Sequence, residues 1–235
     1  MEKEIEERLE FWGLKLDAKA LAKLEILAHE IKEKNARLNL ISKNDEPCFW
    51  SRHLADSLAA APLLKKLLLP GALVADAGSG AGFPGLPLAA ALPSVNFELW
   101  DSNRKRVEFA LWAAGSMKLK NAAAFCRRIG QSGPFEAARY DAVLERAMGK
   151  LENILPQCLN MLKSGGVFLA WQAGGQRQRP AARQWQSGLE DAGAPGSLKA
   201  LKKAGAKLAD RFAYTLPGEI HERFILVFRK SGWTF

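Results

Sequence analysis

Cysteine, histidine and long apolar runs are all scarce in this chain of 235 residues. Its three cysteines, Cys48, Cys126 and Cys158, lie far apart and form neither a metal spacing nor a disulfide framework. Its three histidines, His29, His53 and His221, are equally scattered, so no metal site is expected. No apolar stretch reaches the roughly 18 residues that a membrane helix needs. The N-terminus, Met1 to Arg8, is charged and lacks the apolar core of a signal peptide. These absences predict a reduced, cytoplasmic protein with no membrane partner, expected as a monomer. Acidic residues are also the minority: 34 Lys and Arg face 25 Asp and Glu, for a net charge of +9. A basic balance favours polyanionic partners, because cationic side chains displace counterions from phosphates. The charge concentrates in Lys163, Arg177, Arg179, Arg183, Lys199, Lys202, Lys203 and Lys207, opposed only by Glu190 and Asp191. That segment reads either as a nucleic-acid surface or as a solvated face.

The chain divides near Pro70. Residues 1–70 read as helices: a short amphipathic one over Glu2 to Trp12, one capped by Asp17 and running to about Arg37, and one from about Glu46 to Leu69. Leu21, Leu24, Leu27 and Ile31 recur at the helical period. Residues 71–235 alternate instead. Strands are expected at Ala72–Ala75, Val95–Trp100, Ala122–Cys126, Tyr140–Leu144 and Val167–Trp171. Helices are expected at Phe83–Leu92, Arg104–Met117 and Leu151–Leu162. A further helix falls around Ala181–Leu189, followed by two last strands, Ala209–Thr215 and Arg223–Arg229. Alternation of this kind predicts an α/β protein with a mostly parallel, doubly covered sheet and an N-terminal helical appendage.

Asp76-Ala-Gly78-Ser-Gly80-Ala-Gly82 lies between the first of those strands and a helix. A chain that leaves a strand and enters a helix at once needs residues that tolerate positive φ, and the missing side chains let a ligand touch backbone. The helix N-terminus beyond it offers free N–H groups. Gly80, Gly82 and Gly85 match the dinucleotide spacing G-x-G-x-x-G. In that frame, however, the first glycine comes four residues after Asp76, late for a turn starting at the strand end. An acid two residues before G-x-G-x-G instead resembles motif I of class I methyltransferases. By that resemblance the loop packs on the methionine part of S-adenosylmethionine, Asp76 lies near its ammonium group, and Asp101 accepts hydrogen bonds from the ribose hydroxyls. Carboxylates suit both tasks. Capping the following helix is the other use of Asp101, and Ser102 could also fill it.

Two further motifs are missing. Amine methylation usually calls for a polar-Pro-Pro-aromatic stretch after the fourth strand, where this chain has Leu144-Glu-Arg-Ala-Met148. Methylation of a pyrimidine carbon needs a nucleophilic cysteine, and the one Pro47-Cys48 pair lies in the N-terminal helices. A guanine N7 requires neither, because it is an sp² nitrogen with an exposed lone pair and no proton to remove. This permits an N7 target without selecting it.

Five stretches occur in order: Arg37-Leu-Asn-Leu-Ile-Ser42, Ser51-Arg-His-Leu-Ala-Asp-Ser-Leu58, Asp76 to Pro87, Asp101-Ser-Asn-Arg-Lys-Arg-Val107 and Glu145-Arg-Ala147. Together they resemble the bacterial small-subunit ribosomal RNA methyltransferase G family, also called glucose-inhibited division protein B. The resemblance implies a Rossmann-like class I fold with a seven-stranded sheet, S-adenosylmethionine as cofactor, and methylation of guanine N7 in 16S ribosomal RNA, as naked RNA or as a small-subunit particle. It implies cofactor contacts at Gly78 and Phe83, at Ile129 and Gly130 near the adenine, and at Arg146. Arg52 and His53 are candidates for positioning RNA. Gly130 stands where the family has Glu, and Trp171-Gln-Ala-Gly174 stands where it has Leu-Lys-Gly. These departures leave three other readings open: a methyltransferase of another nucleic acid or a small molecule, a non-catalytic ribosome-binding protein, and, on the Gly80 frame alone, a nicotinamide-dependent oxidoreductase.

Overall fold

The computed structural model describes residues 3–131, 133, 136–173 and 201–232. Seven strands form one sheet in the order β3-β2-β1-β4-β5-β7-β6. β1 (Leu73–Ala77), β2 (Asn96–Asp101), β3 (Ala122–Cys126), β4 (Tyr140–Glu145) and β5 (Leu162–Ala173) run parallel to one another. β7 (Arg223–Lys230) is antiparallel to both β5 and β6 (Ala206–Tyr214). The expected mostly parallel, seven-stranded sheet is therefore present. Strand order reverses between β1 and β4, which opens a crevice at the carboxyl ends of the strands.

The central strands read as nearly unbroken apolar runs because both sheet faces are covered. Along β1, β2 and β4 the side chains alternate between two cores. Val74, Phe97, Leu99, Ala142 and Leu144 join one cluster, and Ala75, Trp100 and Val143 join the other. The first cluster also takes in Ile5 and Leu9 of α1 (Lys3–Phe11) and Leu24, Leu27 and Ile31 of α2 (Ala18–Leu38). The N-terminal helices thus bury their apolar stripes in the core beneath the sheet. Asp17 caps α2 by accepting the Ala20 N–H at 2.7 Å, as expected. The helix closes at Asn39, which adopts a left-handed conformation with φ 47°.

The single helix expected over Glu46–Leu69 is instead broken into pieces. A 3₁₀ turn, Lys43–Cys48, contains Pro47 and is capped by Ser42. A π-helical turn, Trp50–Ala55, follows and runs into α3 (Asp56–Leu58), and α4 (Ala61–Leu67) comes after. Leu68, which ends α4, is extended, with φ −115° and ψ 145°. Other boundaries differ as well, β6 for instance starting at Ala206 rather than Ala209. β1 extends to include Asp76; α5 (Gly85–Ala91) starts only after Pro84; and β5 begins directly at the end of α7 (Leu151–Met161). α6 (Arg104–Ser116) is capped by neither Asp101 nor Ser102, because the Asn103 side chain accepts the Lys105 N–H at 3.0 Å. The helix expected at Ala181–Leu189 lies outside the described residues, as do Arg177, Arg179, Arg183 and Lys199.

Candidate active site

The glycine loop folds back over the end of β2. The Gly78 and Ser79 N–H groups donate to the Trp100 carbonyl at 2.8 and 2.9 Å. Gly78 and Gly80 hold φ at +70° and +55°, the left-handed region that favours glycine. A Cβ on Gly78 would lie 2.7 Å from the Met148 Sδ, whereas one on Gly80 would meet nothing within 4 Å. Gly80 therefore faces open space. Asp76 does not. It is fully buried beneath the loop, and its Oδ2 accepts the Gly85 N–H at 2.7 Å, tying β1 to the start of α5. Burial pushes its carboxyl up to about 7, and Oδ1 has no hydrogen-bond partner. Asp76 lines neither of the cavities described next, so its service to a ligand is to hold the loop.

Two cavities flank the loop and meet at Gly78, Arg106 and Ala147. One, of about 580 Å³, holds Asp101, Ile129, Gly130, Trp100 and Met148. The other, of about 560 Å³, holds Gly80, Phe83, Arg146, Arg52 and His53. Apart from Asp76, the residues singled out in the sequence thus converge on one crevice from five separate segments, but they split between its two halves.

In the first half the buried Asp101 ends β2. Its Oδ2 accepts the Gly80 N–H at 2.9 Å and its Oδ1 accepts the Asn103 N–H at 2.8 Å. A carboxylate has roughly four lone-pair sites, so about two remain for a ligand. Asp101 is the only acid among the described residues lining this cavity. Ile129, Trp100 and Met148 supply an apolar wall. Gly130 adopts φ +76°, and its N–H donates to the buried Glu136 at 2.6 Å. The backbone at the position where the family carries Glu is therefore fixed by a glutamate six residues later. A diol against Asp101 with a flat ring beside Ile129 fits this acceptor and wall.

The second half rests on a hub that the sequence reading passed over. Asp56, 4% exposed, accepts Arg146 Nη1 at 2.9 Å and the Tyr214 hydroxyl at 2.6 Å. Arg223 Nη1 lies 3.6 Å away, and the Asp56 carbonyl accepts Trp171 Nε1 at 2.9 Å. Neither Glu145, its chain neighbour, nor Asp141 of the same strand is the acid that Arg146 pairs with. Arg146 also donates to the Arg52 carbonyl at 3.2 Å and lies over the Phe83 ring, 5.5 Å from its centroid. His53 Nδ1 is 3.2 Å from Arg146 Nη2. Burial, helped by Arg146, pushes His53 down to about 4, so its ring is neutral at neutral pH. A guanidinium only donates, so Nδ1 accepts and Nε2 carries the proton. His53 is thus packed between Phe49 and Phe83, while Arg52 reaches outward to Asp45 at 3.1 Å and Glu219 at 3.3 Å. The sequence signal for Asp56 was available, since it closes the Arg-His-x-x-Asp element.

The basic segment is placed away from this crevice where it is described. Lys163 pairs with Asp141 at 2.9 Å near the amino ends of β4 and β5. Lys207 opens β6, which runs in the direction of β5, and Lys202 and Lys203 precede it. All four therefore lie toward the opposite end of the sheet. The crevice draws its cations from Arg52, Arg106, Arg127, Arg128, Arg146 and Arg223 instead.

Residues 20–193 match the family model described as rRNA small subunit methyltransferase G. The chain belongs to that family. Curated relatives carrying the name Ribosomal RNA small subunit methyltransferase G include one from Sorangium cellulosum, 32% identical over 85% of this chain and 86% of that protein. Another, from Halalkalibacterium halodurans, is 31% identical over 98% of this chain and 91% of that protein. Among solved structures, the SAM-dependent O-methyltransferase of Thermotoga maritima matches with a TM-score of 0.53 at 19% identity, over 89% of this chain and 72% of that one. TYW2 of M. jannaschii, solved with AdoMet, matches with a TM-score of 0.55 at 15% identity, over 74% of each chain. These two likenesses establish the Rossmann-like methyltransferase fold.

Proposed function

We propose that this protein is a cytoplasmic methyltransferase that uses S-adenosylmethionine to methylate N7 of a guanine in 16S ribosomal RNA, either free or in the small subunit. One observation carries the reading: two cavities meet at Gly78 and Ala147 on the switch point of the sheet, one with Asp101 beside an apolar wall, which suits a nucleoside, and the other lined by Arg146, Phe83 and His53, which suits a substrate base. The cofactor, when bound, supplies an electrophilic methyl group. Asp101 accepts hydrogen bonds from its ribose hydroxyls, and Ile129 and the Gly130 backbone border its adenine. Gly78, Gly80 and Phe83 shape the path of its methionine end.

Arg146 retains donors beyond those used on Asp56, Arg52 and His53, because a guanidinium has five N–H groups. It is suited to a carboxylate or phosphate in the crevice. The remaining task is alignment, since N7 attack requires no proton removal and holding two reactants in line is itself a large part of a barrier. Family membership, through relatives named for small-subunit ribosomal RNA, supports the substrate class. The test is transfer of labelled methyl from S-adenosylmethionine to small subunits that lack the modification, with free RNA and protein as controls and mapping of the product base. The expected result is one 7-methylguanine in 16S RNA. Label that stays out of RNA would reject the reading.

A further inference from the structure

Cavity chemistry and cofactor charge disagree on the side of the crevice bounded by β2 and β3. S-adenosylmethionine carries a sulfonium, an ammonium and one carboxylate, so it is a net cation. The cavity proposed to hold its nucleoside is nevertheless lined by Arg106, Arg127 and Arg128, against Asp101 alone. Arg104 and Lys105 stand beside them, both exposed, on the first turn of α6. That turn carries no acid. Helix dipoles favour anions there and disfavour cations; Glu108 offsets Arg104 at 2.9 Å and Asp101 lies 4.0 Å from Arg106, yet three successive basic residues still leave this turn with an excess of positive charge. Arg127 adds a second mismatch. Its guanidinium lies 5.1 Å from the Trp100 ring centroid and 5.0 Å from that of Phe125, and its buried Nη1 has no hydrogen-bond partner. Two rings hold it in place and leave a donor unspent. A cluster that burdens both its helix and its cationic ligand answers to a third species that is strongly anionic.

We propose that Arg104, Lys105, Arg106, Arg127 and Arg128 form the surface that takes the sugar-phosphate backbone of the substrate RNA, so that the strand crosses the rim between α6 and the end of β3. This rests on the RNA reading above and moves the phosphate surface away from the basic segment around Lys163 and Lys207. Carrying phosphates there places the target base next to the junction of the two cavities at Gly78 and Arg106.

The test uses the whole protein and a transcript of small-subunit ribosomal RNA. The double variant Arg104→Gln/Lys105→Gln, and then the same with Arg128→Gln, are compared with wild type in filter binding across roughly 50 to 200 mM salt. The double variant is expected to bind RNA roughly tenfold more weakly. Its slope of log affinity against log salt should fall by about 0.7 for each lost phosphate contact, the value for single strands. Its affinity for S-adenosylmethionine, by calorimetry, should be unchanged, and its melting temperature should hold or rise, because cations leave the positive end of a helix. RNA affinity and salt slope equal to wild type would overturn the proposal, as would cofactor affinity falling in step with RNA affinity. The two readings part cleanly. Wild-type protein that methylates RNA, with the variants unaffected, sinks the surface and keeps the activity. Wild-type protein that transfers no methyl to RNA, yet loses salt-dependent binding on substitution, does the reverse.

Discussion

Gly80 differs by a few atoms from a residue that would leave the crevice unusable. At Gly80 the left-handed backbone is compatible with Asp, which tolerates that region better than most side chains. The space around its absent Cβ is open. Gly80→Asp is therefore expected to fold normally while placing a second carboxylate beside Asp101, which already accepts the Gly80 N–H. Calorimetry should detect no S-adenosylmethionine binding, with circular dichroism unchanged; wild-type affinity would show that the ligand does not lie on this loop.

Glu145 is buried at the end of β4, where its Oε1 accepts the Met148 N–H and its Oε2 has no partner. Desolvation pushes its carboxyl up to about 7. A raised folded-state value means that the group binds more protons folded than unfolded, so its contribution is full below about 4.5 and is lost as pH rises through 7. Glu145→Gln keeps the acceptor and removes the titration. Urea unfolding at pH 5 and pH 8 should show the variant gaining on wild type by roughly 1–3 kcal/mol at the higher pH. A difference that does not change with pH would refute this account.

Among the elements, α5 shows most directly how a helix can be tied to a strand. Gly85 starts it, not because a positive φ is needed but because of close approach. A Cβ there would lie 2.7 Å from Asp76 Oδ2 and 2.9 Å from Leu99 Cγ. Both neighbours are buried and neither is the end of a long flexible chain. Gly85→Ala, ordinarily favourable in a helix, should here cost about 1–3 kcal/mol in urea unfolding. An unchanged or higher midpoint would mean that the loop gives way without cost. Elements with one strong local signal were legible from sequence: α2 has its Asp17 cap and its period of three to four, and β2 and β3 match their expected spans closely. The Glu46–Leu69 stretch reads as one helix, whereas the structure breaks it into a 3₁₀ turn holding Pro47, a π-helical turn and two short helices. Asp56 and His53 within it are held by Arg146, which follows β4, and Asp56 also by Trp171 of β5 and Tyr214 of β6, contacts that no local spacing announces.

At the scale of the whole molecule, Asp56 joins a segment near the N-terminus to β4, β5 and β6. It does so through Arg146, Trp171 and Tyr214, none of which is near it in sequence. Removing one partner of such a buried, charge-paired network is strongly destabilising because the other charge is left uncompensated. Asp56→Ala should lower unfolding stability by about 3 kcal/mol and weaken S-adenosylmethionine binding, since Arg146 loses its main anchor. Urea unfolding and calorimetry on one preparation check both, and stability within 1 kcal/mol of wild type would contradict the hub.

Sequence alone was enough to determine the alternating α/β order, the glycine loop and its strand-end acid Asp101, because each is a local requirement: a period, a tight turn, a carboxylate at a fixed offset. Tertiary structure decided the rest. It buried Asp76 under its own loop, handed Arg146 to Asp56, turned Lys163 and Lys207 to the far end of the sheet, and gathered Arg106, Arg127 and Arg128 at the crevice. The physical reason is that burial and charge pairing are set by strand order, and strand order brings together residues whose separation along the chain carries no trace of their meeting.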